Sequence, residues 1–194
     1  MKIQEARQVY GAQISSYRDQ LQQLQKQKEE LEKRSKLIID GKVIYEKEAA
    51  VLELTMDKVT KKKEEYQKYM EILNQQWAGI ANMEASRQQA DAAEEYYEDI
   101  GKIMEVARRI MKGGIVPPQD EKKLMEYSME LYQAAKNIGS MEQQKKREEY
   151  DSLWEEKTEN KVAEDPMETA NNAAAPAGAP AVIEVSEVMK SVAE

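Results

Sequence analysis

The chain has 194 residues, a formal net charge of −8, and neither cysteine nor histidine. These absences exclude disulfides, thiolate nucleophiles, imidazole bases and any metal site built on Cys or His side chains of this chain. Charged residues make up 34% of the sequence and phenylalanine is absent, which is typical of long helices and coiled coils. We therefore expect a protein that is not an enzyme and has no cofactor and no metal.

The first 38 residues carry apolar side chains at alternating spacings of four and three, the pattern of a coiled-coil interface. We call these the heptad positions of the first helix. Eight of the eleven are apolar; in order they are Ile3, Arg7, Tyr10, Ile14, Tyr17, Leu21, Leu24, Lys28, Leu31, Ser35 and Ile38.

A second stripe with the same spacing follows over residues 49–80. Nine of its ten heptad positions are apolar: Ala49, Leu52, Met56, Val59, Lys63, Tyr66, Met70, Leu73, Trp77 and Ile80. Two stripes of nearly equal length most simply fold back on each other. We predict that residues 1–83 form a long antiparallel coiled-coil hairpin and that the protein is elongated and all-α.

The turn of this hairpin lies at residues 36–45, "KLIIDGKVIY", and the sequence allows two conformations for it. Asp40-Gly41 could end the first helix, or it could form the turn of a small β-hairpin. Either conformation leaves Ile38, Ile39, Val43 and Ile44 in need of burial, so we predict that they bind a partner.

Residues 84–160 are predicted to form a second helical hairpin or small bundle. The apolar stripe shifts by three residues near Gly79. It then continues through Met83, Ser86, Ala90, Ala93, Tyr97, Ile100, Met104, Ala107 and Met111. Gly113-Gly114 and Pro117-Pro118 separate this helix from the next. Near the end of the segment, Tyr150, Leu153 and Trp154 form an apolar patch that either packs on the bundle or docks in a partner's groove.

Residues 161–194 are predicted to be a disordered linker and tail. The linker is rich in Ala, Pro and Asn and has no means of forming a core. The last residues regain an apolar face, on which we place Val185, Met189 and Val192. Because a short helix alone is unstable in water, we expect this face to become ordered only when it binds a partner.

Charge and hydropathy restrict the partners and the compartment. The sequence becomes more acidic toward its C-terminus, where residues 161–194 carry six acidic and two basic side chains, so we expect no nucleic-acid partner. No segment approaches the ~20 apolar residues of a membrane span, and the first residues lack the apolar core of a signal peptide. We expect a soluble, cytoplasmic protein, with secretion by a route independent of a signal peptide left open.

Two short features resemble known families. Trp77-Ala78-Gly79 resembles the W-x-G of small helical-hairpin substrates of bacterial type VII secretion, which place it at a turn; their C-terminal Y-x-x-x-D/E signal is missing. The helix–turn–helix of residues 1–83 resembles prefoldin-type chaperone subunits, which carry β-hairpins between coiled-coil arms; residues 84–194 have no counterpart there.

The sequence therefore favours a non-catalytic coiled-coil scaffold or adaptor that acts through protein–protein interaction, with a homo-oligomer possible. The alternatives are a prefoldin-like or secretion-associated holdase chaperone and a secreted W-x-G-like protein.

Overall fold

A computed structural model describes residues 1–141, 147–154 and 163–193, the side chains of Val192 and Ala193 excepted. The described chain is all-α, as the sequence predicts. Its helices are α1 (Ile3–Leu37), α2 (Gly41–Ile44), α3 (Glu46–Met111), α4 (Pro118–Tyr127), α5 (Met129–Met141), α6 (Pro166–Asn172) and α7 (Val185–Ala193). Over the same residues, β-structure is limited to two isolated bridges, Lys2 with Ala174 and Ile115 with Glu149.

The chain divides into two compact units. The first contains Met1–Glu84 together with the C-terminal residues from Glu164 onward, and the second lies within Ala85–Ala163. Helix α3 contributes residues to both. None of the helices described combines the length and the apolar composition needed to cross a membrane.

In the first unit, α1 and the first part of α3 pack antiparallel. The rings of Tyr10 and Tyr69 lie 4.8 Å apart between centroids, and those of Tyr17 and Tyr66 lie 5.4 Å apart. Further along, Lys28 Nζ lies 2.8 Å from a carboxylate oxygen of Glu53. As the residue number rises along α1, the number of its partner falls along α3, which establishes the antiparallel direction.

The heptad positions form the core of this unit. Every heptad position of both stripes is buried or half-buried except Ile38. The side chains with almost no exposed surface include Ile3, Tyr10, Tyr17, Leu24, Val59, Tyr66 and Leu73. Burial of these side chains against each other supplies the main free energy that holds α1 on α3.

The later part of α3 differs from the predicted stripe. Met83, Tyr97 and Met104, which the shifted pattern places in the core, are exposed. At the end of the stripe, Ala107 is buried and Met111 packs against the same core. The buried residues of this core come from the end of α3, from α4 and α5 and from the loop before α4: Ile103, Val106, Ala107, Ile110, Val116, Leu124 and Ala135. The prediction was wrong for Met83, Tyr97 and Met104, because an Ala-rich stretch of α3 lacks the apolar bulk to reach a partner. The last turns of α3 meet α4 and α5.

Two local features shape this smaller core. The predicted single helix after Pro118 is broken at Ser128, whose backbone is extended and whose hydroxyl accepts a hydrogen bond from the amide of Leu131. In α5, Gly139 lies so close to α3 that a Cβ atom would come within 2.2 Å of the carbonyl oxygen of Ile110. A glycine is required there because any side chain would push the helices apart.

The C-terminal residues also differ from the predicted disorder. Residues 163–193 contain α6, an extended segment and α7, and they lie along α1 and α3. The extended segment begins with an antiparallel bridge: the amide of Ile3 donates to the carbonyl of Ala173, and the amide of Ala175 donates to the carbonyl of Met1. We call residues 173–185 the strap.

Candidate interaction surfaces

The turn between α1 and α3 is helical. Helix α1 ends at Leu37, Asp40 adopts the left-handed conformation with φ 60°, and Gly41 begins the one-turn helix α2. The amide of Gly41 donates to the carbonyl of Ile38, and a Cβ atom on Gly41 would lie 2.2 Å from the carbonyl oxygen of Ser35. Asp40 therefore supplies the left-handed residue, and Gly41 allows the backbone to pass close to Ser35. The pair does not form the turn of a β-hairpin.

This turn exposes a patch of aliphatic side chains, which we call the tip. The exposed fraction is 90% for Ile39, 72% for Val43, 61% for Ile44 and 47% for Ile38, and Leu37 is also exposed. Val51 and Leu54 continue the exposed aliphatic surface along α3. A concentration of exposed aliphatic residues of this size marks a binding surface more often than it marks ordinary surface.

The surroundings of the tip are basic. Residues 33–47 carry five basic and two acidic side chains, and all seven are exposed. The local charge is therefore positive on a chain whose net charge is −8. Such a surface favours a partner with an apolar recess and acidic residues around it.

Four tyrosines, which we call the tyrosine cluster, hold the strap on the first unit. Each hydroxyl donates a hydrogen bond to a backbone carbonyl of the strap: Tyr69 to Pro176 (2.8 Å), Tyr10 to Pro180 (2.7 Å), Tyr66 to Ala181 (3.0 Å) and Tyr17 to Ile183 (2.9 Å). The Tyr66 hydroxyl also accepts a hydrogen bond from the amide of Ile183 at 3.0 Å. The strap thereby satisfies hydroxyl groups that would otherwise be costly to bury.

The electrostatics of the cluster follow from this burial. Burial raises the pKa of Tyr10, Tyr17 and Tyr69, because the phenolate form would lose its hydration. The neighbouring tyrosines raise the pKa of Tyr10 further, and Tyr66 does the same for Tyr17. Tyr10, Tyr17 and Tyr69 are therefore neutral hydroxyl donors at physiological pH.

Contacts beyond both ends of the strap fix its position. Before it, Asn171 of α6 accepts a hydrogen bond from the indole nitrogen of Trp77 at 2.8 Å. After it, Lys58 donates to the carbonyl of Ser191 in α7 at 2.7 Å. Trp77 and Gly79 lie inside the continuous helix α3, so the W-x-G sequence does not form a turn here.

The predicted tail residues face their own chain. Val185 is only 8% exposed and belongs to the core of the first unit, and Val188 and Met189 pack against that core. The side chain of Val192 lies outside the described residues. These positions therefore differ from the expectation of a free tail, because the groove between α1 and α3 offers them an apolar surface within the same molecule.

In the second unit, the predicted patch of Tyr150, Leu153 and Trp154 packs against the core formed by α3, α4 and α5. The indole nitrogen of Trp154 donates to Asp99 at 2.9 Å, and Lys123 lies 4.0 Å from the ring centre. Of the two predicted roles, these contacts match packing on the bundle.

A buried carboxylate anchors the same segment. Asp120, in the first turn of α4, is 1% exposed and accepts hydrogen bonds from the hydroxyl of Ser152 (2.7 Å) and the amide of Leu153 (3.1 Å). Sequence reasoning missed this role of Asp120. It also missed Tyr69 and the shared role of the tyrosine cluster, although tyrosines at buried heptad positions signal that their hydroxyls need acceptors.

The structure thus separates the predicted contact residues into one exposed group and two packed ones. Ile38, Ile39, Val43 and Ile44 lie together at the tip, whereas Tyr150, Leu153, Trp154, Val185 and Met189 contact their own unit. No family model matches the chain, and no curated protein or solved structure matches it either.

Proposed function

We propose that the protein is a non-catalytic helical adaptor that binds another protein through the tip. The observation that carries this proposal is the group of five exposed aliphatic side chains at residues 37–44. Exposed aliphatic groups next to water oppose solubility. A partner that covers them would remove this cost.

The chemistry of the tip defines the kind of partner. Aliphatic side chains fit an apolar recess, and the exposed basic residues around them fit an acidic rim. The antiparallel pair of α1 and α3 holds the turn, and the Lys28–Glu53 ion pair, which raises the pKa of Lys28, joins the two helices on the tip side of the tyrosine cluster. We infer that the first unit presents a preformed surface, which reduces the entropy lost on binding.

The test compares proteins recovered from the native cells with three forms of the full chain. The first is the wild type, and the second carries Ile39→Asp and Val43→Asp. The third carries Ile72→Asp, which places a charge on an exposed isoleucine of α3 far from the tip. All three should fold, because substitutions at exposed positions usually change stability by within ~0.5 kcal/mol.

The proposal predicts that one discrete partner is recovered in a constant ratio with the wild type and with Ile72→Asp. The amount of this partner recovered with the tip variant should fall by about tenfold or more. Equal recovery with all three forms would contradict it. Suppressed aggregation of an unrelated unfolded protein would instead support a holdase, provided that the tip variant abolished it. Tip-dependent oligomers of the purified chain, seen by light scattering, would show that the tip binds a second copy and would also contradict the adaptor.

A further inference from the structure

We propose that the groove bordered by the tyrosine cluster is a recognition site for extended proline- and alanine-rich peptides, and that the strap is its resident ligand. In this view a segment of a partner protein with the same chemistry can replace the strap. The site is separate from the tip and does not depend on the adaptor proposal.

The first argument is that the groove recognises backbone and not side chains. All four tyrosine hydroxyls donate to main-chain carbonyl oxygens of the strap. Proline residues supply two of these carbonyls, and a proline has no amide hydrogen that would need a partner of its own. Donors aimed at carbonyls from aromatic walls are the means by which other grooves bind extended proline-rich segments.

The second argument is the match in spacing. Tyr10 and Tyr17 are seven residues apart on α1, about 10 Å along the helix at ~1.5 Å per residue. Their acceptors, Pro180 and Ile183, are three residues apart, which also spans about 10 Å in an extended chain at ~3.1–3.4 Å per residue. Where the strap begins, Ala173 has φ −62° and ψ 153°, within the polyproline region. The spacing of Tyr10 and Tyr17 therefore fits an extended peptide over residues 180–183.

The third argument is that the strap is held lightly along its middle. Ala177, Gly178 and Ala179 are exposed, and Val182 is half exposed. The apolar contacts come from the small side chains of Ala173 and Ala175 at one end and from Val185 at the other. The strap is part of the same chain and therefore has a high effective concentration at the groove. Once its own binding is weakened, a separate ligand that offers the same carbonyls can compete with it.

Gly178 gives the site a sequence requirement. Its φ is +89°, and an added Cβ atom would meet nothing within 4 Å. A side chain there would be strained by the backbone alone and would not clash with the groove. We therefore expect ligands to carry glycine between two carbonyl contacts, in the order Pro-x-Gly-x-Pro found at residues 176–180.

The experiment uses the full chain with its own strap weakened by Gly178→Val. A fluorescein-labelled peptide with the wild-type sequence of residues 171–191 is titrated in, and binding is followed by fluorescence anisotropy. We expect saturable binding to this variant and binding weaker by about tenfold or more to the wild-type chain, whose strap competes at high effective concentration.

Matched peptides and a second chain variant complete the test. A peptide with Gly178→Val should bind about tenfold or more weakly, whereas one with Val182→Ser should bind like the wild-type peptide. Adding Tyr10→Phe and Tyr66→Phe to the Gly178→Val chain should also weaken binding, because these variants lack two of the hydroxyl donors.

Val185→Asp provides an independent way to open the groove. Circular dichroism verifies that the Gly178→Val and Val185→Asp chains remain helical. If neither opened chain binds the peptide, or if the tyrosine variants bind it as tightly as their parent, the proposal is overturned.

Discussion

Replacing Tyr66 by phenylalanine tests how the strap is held. The Tyr66 hydroxyl is buried, donates to the carbonyl of Ala181 and accepts from the amide of Ile183, both at 3.0 Å. Phenylalanine keeps the ring and its contacts with Tyr10 and Tyr17 but removes both hydrogen bonds. The substitution should therefore weaken the strap without disturbing the packing of α1 on α3.

The expected magnitude follows from the two lost hydrogen bonds. Each contributes ~0.5–1.5 kcal/mol net, so the strap should lose about 1–3 kcal/mol of local stability. At 1.4 kcal/mol for each factor of ten, protection of the strap amides against hydrogen exchange should fall by about 5- to 150-fold.

Hydrogen exchange followed by mass spectrometry measures this change directly. Peptides from residues 173–185 should exchange faster in Tyr66→Phe, whereas peptides from the α1 heptad positions should change little. Tyr97→Phe is the matched control, because Tyr97 lies on α3 in the second unit and its ring is exposed. Unchanged protection of residues 173–185 in Tyr66→Phe would refute the assignment of this hydroxyl as an anchor.

Three other predictions follow from the structure. Because the raised pKa of Tyr10 and Tyr17 favours the neutral form in the folded chain, their contribution to stability should persist below pH ~10 and be lost as the pH rises above it. Tyrosinate absorbance should show a late-ionising fraction that phenylalanine at both positions reduces. In urea denaturation, Gly139→Ala should lower the free energy of unfolding of the second unit by about 1–3 kcal/mol through overpacking. Gly101→Ala, with open space around its Cβ, should raise the free energy of unfolding by about 0.5–1 kcal/mol. Asp120→Ala should cost about 1–3 kcal/mol in the same assay, because it leaves a buried amide donor without its acceptor.

The antiparallel core of the first unit could be anticipated because a repeat of 3.5 residues places one side chain of each turn on the same face. Ile3, Tyr10, Tyr17 and Leu24 show this directly, since all are fully or almost fully buried. The helical turn was harder to assign. The end of a helix and a two-residue β-turn both use Asp-Gly to supply left-handed backbone, so the local sequence is the same for either conformation.

The strap could not be anticipated from hydropathy. Alanine and proline bury little apolar area, so composition alone predicts a linker. The segment is held because buried tyrosine hydroxyls need hydrogen-bond acceptors. Tyr10 and Tyr66, which provide these hydroxyls, lie more than a hundred residues away from the strap in the sequence. Part of the shifted stripe on α3 was wrong for a related reason: the burial of Ile103 and Ile110, which the stripe omits, depends on α4 and α5, and the pattern on one helix does not reveal it.

Site-specific photocrosslinking in the native cells tests the adaptor proposal most directly. A photoreactive amino acid replaces Ile39 at the tip in one form of the full chain and the exposed Ile72 in another. The account predicts one discrete crosslinked product from position 39, with the partner's peptide identified by mass spectrometry, and none from position 72. Equal crosslinking from both positions, or none from position 39, would contradict it.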